Sequence, residues 1–301
     1  MEVSFPYILW FPLALAAALA FAGHNGLGKT ALKKLTPVQL TFSSHLIWSA
    51  VMTFAVLVSR LHSGGPLLQA SKGFLPALLT TSILNVLAFT LLFAGIRSSP
   101  LSISVPYLSL TPVFILLTGP VIVGEVIGPA GAAAVLSVAA GSWMVQSRTG
   151  DTFTAPLRRI FHERGPRNVL GVALIFSVSA VVDKVALIHS DLLTFLFATA
   201  WCRTALLLPV FINAGKKTPI SPSAVVKAGV KVGLLFAAEG FAHMSAIALG
   251  PVAYVVAVKR TSILFSVLLG FYAFGERKNA RLVAGIILMV GGAIVLSLLG
   301  G

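Results

Sequence analysis

A chain of 301 residues that is 57% hydrophobic and only 10% charged, with a mean hydropathy of +0.98, has too little polar side chain to cover a soluble surface; soluble domains carry about 25% charged residues. The composition excludes most soluble enzymes, disordered tails and disulfide scaffolds, and leaves the bilayer as the solvent. A net charge of +14 would suggest nucleic acid in a soluble protein, but the basic residues lie between apolar runs and form no basic domain, so no nucleic-acid partner is expected.

A membrane-crossing helix needs about 20 mostly apolar residues. Ten runs meet that need: residues 7–30, 38–60, 74–96, 101–121, 129–145, 169–188, 192–213, 225–249, 252–274 and 281–299. In the first, Ala20-Phe21-Ala22 resembles a signal-peptide cleavage site, but no basic stretch precedes it, so the span is expected to stay. Near its end, Gly23-His24-Asn25-Gly26-Leu27-Gly28-Lys29-Thr30 satisfies the P-loop pattern. A true P-loop follows a strand and opens a helix; this one closes an apolar helix, so nucleotide hydrolysis is not expected. Pro106, Pro112 and Pro120 interrupt the backbone bonding of the fourth span. Residues 131–141 and 285–292, in the fifth and tenth spans, are rich in Gly and Ala, which lets helices approach closely, within one chain or across a homodimer. The connections are short except at 147–168, where Asp151, Arg158, Arg159, Glu163, Arg164, Pro166 and Arg167 read as a polar linker between two halves, 1–146 and 169–301.

The halves match each other. Pro100, Phe114, Leu117, Gly119, Gly124-Glu125 and Gly141 fall in one register on Pro251, Phe265, Leu268, Gly270, Gly275-Glu276 and Gly292. Nearer each start, Lys29, Val38 and Phe42 fall on Lys184, Leu193 and Phe197, after a slip that a loop-length change would cause. Five spans per half is an odd number, so the second copy is inverted in the membrane. Inverted repeats build two interchangeable gates around one midplane site. The predicted fold is all-α, with ten transmembrane helices as two inverted five-helix repeats. Lys and Arg cluster in the loops after odd-numbered spans, while the other face carries only Arg60 and Lys72. The positive-inside rule then places the linker in the cytoplasm and both termini outside.

Ionisable groups inside the spans cost about 2.5–3.5 kcal/mol or more at the helix centre, so they face the bundle interior or a wet cavity. Lys259 and Arg260 lie about two turns into the ninth span, too deep to reach the interface easily. They suit an anionic group or an internal ion pair, and Tyr254 lies on the same span. Glu239 and His243 share a face of the eighth span and form either a proton relay or, through Glu239, a partner for Arg203 or Lys259. Arg203 suits a carboxylate or phosphate, or pairs with Glu239 or Asp183. His24, Asn25 and His45 read as interhelical hydrogen-bonding points. Glu125 and Glu276 sit at helix ends and read as structural caps, held by the dipole of the helix that follows. The single cysteine, Cys202, makes no intrachain disulfide, and no metal motif or catalytic nucleophile is present.

The duplicated Gly-Glu pair, Gly124-Glu125 and Gly275-Glu276, the Lys closing the first span of each half, Lys29 and Lys184, and Arg203 in the next span together resemble the drug/metabolite transporter superfamily, EamA branch. The sequence departs from that pattern at Trp48, where the first half would carry its Arg, and lacks the usual Trp-Gly early in the first span. The resemblance implies ten helices in two repeats, transport of a small metabolite and cytoplasmic termini, the last against the charge count. Val258-Lys259-Arg260 is similar to the Lys-Arg pair of the sugar-phosphate and nucleotide-sugar translocators, where the pair is associated with the substrate phosphate; its neighbours here differ.

The expected function is secondary transport of a small anionic metabolite by alternating access, without a cofactor or metal, in the bacterial inner (plasma) membrane. Lys259, Arg260, Arg203 and Tyr254 are the expected substrate-binding residues, and Glu239, His243, Lys29 and Lys184 the coupling or gating residues. The alternatives are an exporter of neutral amino acids or drugs from the same superfamily, an intramembrane enzyme acting on a lipid through His24, His45, His243 and Glu239, and a non-transporting membrane scaffold.

Overall fold

The computed structural model describes residues 9–66, 68–99, 104–146, 155–217, 222–265 and 280–300. Eleven α-helices and one 3-10 segment occupy them: α1 (Trp10–Ala31), α2 (Pro37–Ser63), α3 (Phe74–Ser98), the 3-10 segment Val105–Leu110 continuing into α4 (Thr111–Ile122), α5 (Pro129–Gln146), α6 (Ala155–His162), α7 (Arg164–Ile188), α8 (Leu192–Lys217), α9 (Pro222–Leu249), α10 (Val252–Lys259) and α11 (Ala280–Leu299). No strand occurs among the described residues. Seven of these helices are long and apolar enough to cross a membrane, and the fourth and fifth spans are shorter apolar helices. The architecture is all-α, ten spans in two inverted five-helix repeats. Phe54, Leu117 and Leu298 expose apolar side chains on the outside, as lipid contact requires.

Local chemistry sets the ends. Thr36 caps α2 through a reciprocal capping box with Gln39, and Pro37 opens the first turn. Gly64, at φ +66, closes it in the left-handed conformation. The fourth span is not the continuous α-helix that its hydropathy suggests. Pro106 and Pro112 each remove an N–H, and the chain runs as a tighter 3-10 turn before α4 begins. The linker contains the short helix α6, with Arg158 and Phe161 exposed and Ile160 half-buried. The sixth span begins at Arg164, several residues earlier than hydropathy suggests, because polar residues extend a helix beyond its apolar run. In the ninth span α10 stops at Lys259, and Arg260 and Thr261 form a turn. Its expected remainder past residue 265 lies outside the described residues, as do Leu268, Gly270 and the Gly275-Glu276 pair.

Packing follows the repeat. α5 packs on α11 and α2 on α8, each span against its own counterpart; α1 packs on α9 and α3 on α7, two pairs that the repeat exchanges. The small-residue faces of α5 and α11 are spent on each other within the chain: a Cβ on Gly141 would lie 2.5 Å from the Gly285 carbonyl oxygen.

On the face opposite the linker, the loop after α2 is latched onto the α7–α8 turn. Arg60 Nη2 donates to Asp191 Oδ1 at 2.8 Å, the Gln69 N–H to Thr194 Oγ1 at 2.9 Å and the Ser71 N–H to the His189 carbonyl at 2.8 Å. Partial burial of Asp191 opposes its ionised form, but the hydroxyl and N–H of Thr194 and the Arg60 guanidinium outweigh burial and hold its carboxyl below the usual 3.8. The latch therefore adds stability in full above the unfolded carboxylate pKa, and loses it as pH falls through the lower folded value. Melting the protein and Asp191→Asn side by side from pH 6 to pH 2.5 is expected to show a constant gap above about pH 5 that closes below the ordinary carboxylate pKa. A gap that persists at the acid end would rule the carboxylate out as the latch.

Candidate functional site

Where the two halves meet, spans from both line a cavity of about 50 Å³, enough for a few waters. It is lined by Arg203, Glu239, His243, Lys259 and Arg260, five of the eight side chains singled out above. All five are buried, with Arg203 and Arg260 only 4% and 3% exposed. Helical geometry explains their convergence. Glu239 and His243 are one turn apart on α9, and Lys259 and Arg260 sit where α10 ends and the chain turns, so both can aim inward.

Arg203 Nη2 lies 3.5 Å from Asp183 Oδ1, and its guanidinium stacks over Trp48, 5.2 Å from the ring centroid. Asp183 also accepts a hydrogen bond from Thr81 Oγ1, which ties α7 to α3. Lys259 Nζ pairs with Glu239 and lies 5.0 Å over the Phe21 ring. Three basic side chains, Arg203, Lys259 and Arg260, thus line the cavity with two acidic ones, Asp183 and Glu239. Arg260 is the cation left over. Among the described residues it has no ion pair, and its Nε has no hydrogen-bond partner; the nearby carboxylate, Glu239, is already taken by Lys259.

The other three residues singled out lie elsewhere. Tyr254 does not line the cavity; it packs against Trp10, with ring centroids 6.2 Å apart, and covers Gly131, where no larger residue would fit beneath it. Neither Lys29 nor Lys184 lines the cavity. Lys29 Nζ donates to the carbonyls of Ile96 and, at 2.9 Å, Ser99; Lys184 Nζ donates to those of Ile247, at 2.5 Å, and Gly250, at 3.2 Å. Each lysine thus satisfies the orphan carbonyls closing the third span of its own half, at positions that correspond through the repeat.

Glu125 is a cap, but not of the helix that follows it. Gly124, at φ +75, swings the chain so that Glu125 Oε2 accepts the Val252 N–H at 2.9 Å, and Oε1 lies 3.9 Å from Lys184 Nζ. The first half therefore caps the N-terminus of α10 in the second half. Glu276 falls outside the described residues. Among the described residues His24 and His45 make no interhelical hydrogen bond. His45 Nδ1 bonds the Thr41 carbonyl in its own helix at 2.8 Å, and both rings pack into an aromatic cluster around Phe236, at 5.2 and 4.8 Å. Ring contacts take the place of hydrogen bonds because Phe89, Phe93 and Trp48 crowd the same space.

Sequence reasoning did not assign the aromatic wall of the cavity, Trp48, Phe89, Phe176, Phe195 and Phe236, to the site. Trp48 did signal itself, as the residue standing where the repeat would place an arginine. Among the described residues no cluster of His, Cys, Asp or Glu could hold a metal ion.

Comparison with known proteins bears on the whole chain. The model of the EamA-like transporter family matches residues 8–147 and again 165–298. A solved crystal structure of a protein superposes with a TM-score of 0.65 over 97% of this chain and 97% of its own at 21% identity, a likeness of fold. No protein of curated function matches the chain.

Proposed function

We propose, since the chain belongs to the EamA-like transporter family, that it is a secondary transporter carrying a small anionic metabolite across the membrane by alternating access about the central cavity. Members of this family are membrane transporters, and the chain is an integral multi-pass membrane protein; the plasma membrane is its expected place. The anionic character of the substrate rests on Arg260, a buried guanidinium facing the cavity while the other two cations are engaged with carboxylates. A buried charge without a counter-ion is costly, and an anion entering the cavity would relieve that cost. A planar guanidinium suits bidentate contact with a carboxylate or phosphate.

Binding would draw Arg260 and Lys259 toward the substrate and away from Glu239, so that occupancy weakens the contact between α9 and α10. His243, one turn from Glu239, would take or give a proton as that carboxylate is released. Both helices belong to the second half, and their rearrangement against the first would change which side the cavity faces.

Counter-exchange of labelled anions in proteoliposomes tests this. Arg260→Gln is expected to lower the rate at least tenfold, with little loss of melting temperature, since among the described residues that charge has no ion pair. Unchanged exchange of anions by the variant would overturn the role given to Arg260, and uptake of amines and neutral amino acids in place of anions would overturn the reading and favour the neutral-solute exporter. Chemical conversion of a supplied lipid would favour an enzyme.

A further inference from the structure

The repeat that relates the two halves does not extend to the chemistry of the cavity. Carried through the two registers of the repeat, the Lys29–Lys184 register for the first two spans of each half and the Pro100–Pro251 register for the rest, every ionisable residue lining the cavity belongs to the second half. Asp183, Arg203 and Glu239 correspond to Gly28, Trp48 and Ala88; His243, Lys259 and Arg260 correspond to Leu92, Leu108 and Ser109. None of these first-half counterparts is ionisable. The first half contributes rings without charge, Trp48 and Phe89, beside Phe176, Phe195 and Phe236 of the second half; Phe236 from α9 stands against Trp48 and Phe89, 5.2 and 4.8 Å from their centroids in edge-on contact.

Trp48 carries a second signal. It is 2% exposed, and its indole N–H has no hydrogen-bond partner, although a buried indole N–H usually finds one. Gly240 lies beside the same ring: a Cβ there would come 3.6 Å from Trp48 Cζ2. At that position α9 puts no side chain on the indole, whose other contacts include Phe236 and the Arg203 guanidinium.

We infer that the substrate is an aromatic anion, whose acidic group is held by the second-half cations and whose ring lies against Trp48, Phe89 and Phe236. The inference rests on the transporter reading above and narrows it. A uniformly polar anion, such as a small dicarboxylate, would leave the aromatic wall unused. A neutral ring would leave Arg260 uncompensated. A ring bearing one carboxylate or phosphate satisfies both walls, and a polar ring substituent could accept from the Trp48 N–H. The cavity in this conformation has room for only a few waters, so the ring enters as the halves part.

The test compares matched probes by ligand-induced thermal shift and by counter-exchange in proteoliposomes. Benzoate, 4-hydroxybenzoate and phenyl phosphate are set against cyclohexanecarboxylate and cyclohexyl phosphate, which keep the charge and lose the π-face, and against benzamide, which keeps the ring and loses the charge. Aromatic acids are expected to bind about 3–10-fold more tightly than their cyclohexyl partners. Trp48→Leu and Phe89→Leu should each erase that preference, and Trp48→Phe should keep most of it, which separates loss of the ring from loss of folding. Equal binding of aromatic and cyclohexyl anions, both lost in Arg260→Gln, would overturn the aromatic inference and leave the anion reading standing. Binding of benzamide as tightly as benzoate, kept in Arg260→Gln, would overturn the anion reading and this inference with it. No response to any aromatic acid, in a protein that exchanges other anions, would also overturn the inference.

Discussion

Glu239→Gln is expected to destabilise the protein by roughly 3–5 kcal/mol, the usual cost of removing one partner from a buried ion pair. The variant leaves Lys259 and Arg260 side by side at the cavity with no free carboxylate among the described lining residues, because Asp183 is already engaged by Arg203 and Thr81. Adding Lys259→Gln should restore most of the lost stability, since the double variant has no orphaned member of the pair. Transport is expected to fall at least tenfold in both, so that stability and activity separate. Thermal unfolding in detergent, run beside proteoliposome exchange, reads both quantities. If the single variant melts with the parent, the pair contributes nothing to the fold, and Glu239 has no claim to hold α9 on α10.

The second large effect is expected at the seam between α5 and α11. A Cβ on Gly141 would meet the Gly285 carbonyl oxygen at 2.5 Å and Met289 Cγ at 2.7 Å; one on Gly285 would meet the Gly141 carbonyl oxygen at 2.7 Å. These neighbours are partly backbone, which cannot rotate out of the way. Gly141→Leu must push the helices apart, and is expected to cost about 3 kcal/mol or more, at or beyond the upper end for overpacking. Gly291, on the same α11, has nothing within 4 Å of its would-be Cβ, so Gly291→Leu is the matched control and should melt close to the parent. If both variants behave alike, close approach is not what holds this seam.

Much of the fold was legible because lipid imposes a simple rule on sequence. Each span must be apolar over its length, and the repeat copies that pattern, so span number and pairing of the halves follow from hydropathy and a few matched residues. The 3-10 start of the fourth span was signalled by Pro106 and Pro112, but prolines alone do not say whether a helix kinks or tightens. The helix α6 was hidden because its residues are polar enough to read as linker.

The site was legible in its charges and obscure in its partners. Buried Arg203, Glu239, His243, Lys259 and Arg260 stand out against apolar neighbours, and the bundle does bring them together. Which cation takes which carboxylate depends on interhelical distance, which no single-helix pattern encodes. Tyr254 shows the same limit. Its span was right, but its face is turned to Trp10 and Gly131. The aromatic wall was the least visible part, because a phenylalanine facing a cavity looks, in sequence, like one facing lipid.

The two lysine caps have a mechanical consequence. α1 and α3 are joined by Lys29 where both helices end, and α7 and α9 are joined by Lys184 where those two end. Inversion of the repeat puts these joints on opposite faces of the membrane. α1 also packs on α9 and α3 on α7, so the four helices form a closed frame with one riveted corner above and one below. A frame riveted in this way would splay between α1 and α3 only at the end away from Lys29, and between α7 and α9 only at the end away from Lys184. Each doorway would then open toward one compartment alone, and a solute passing through would have to enter by one seam and leave by the other.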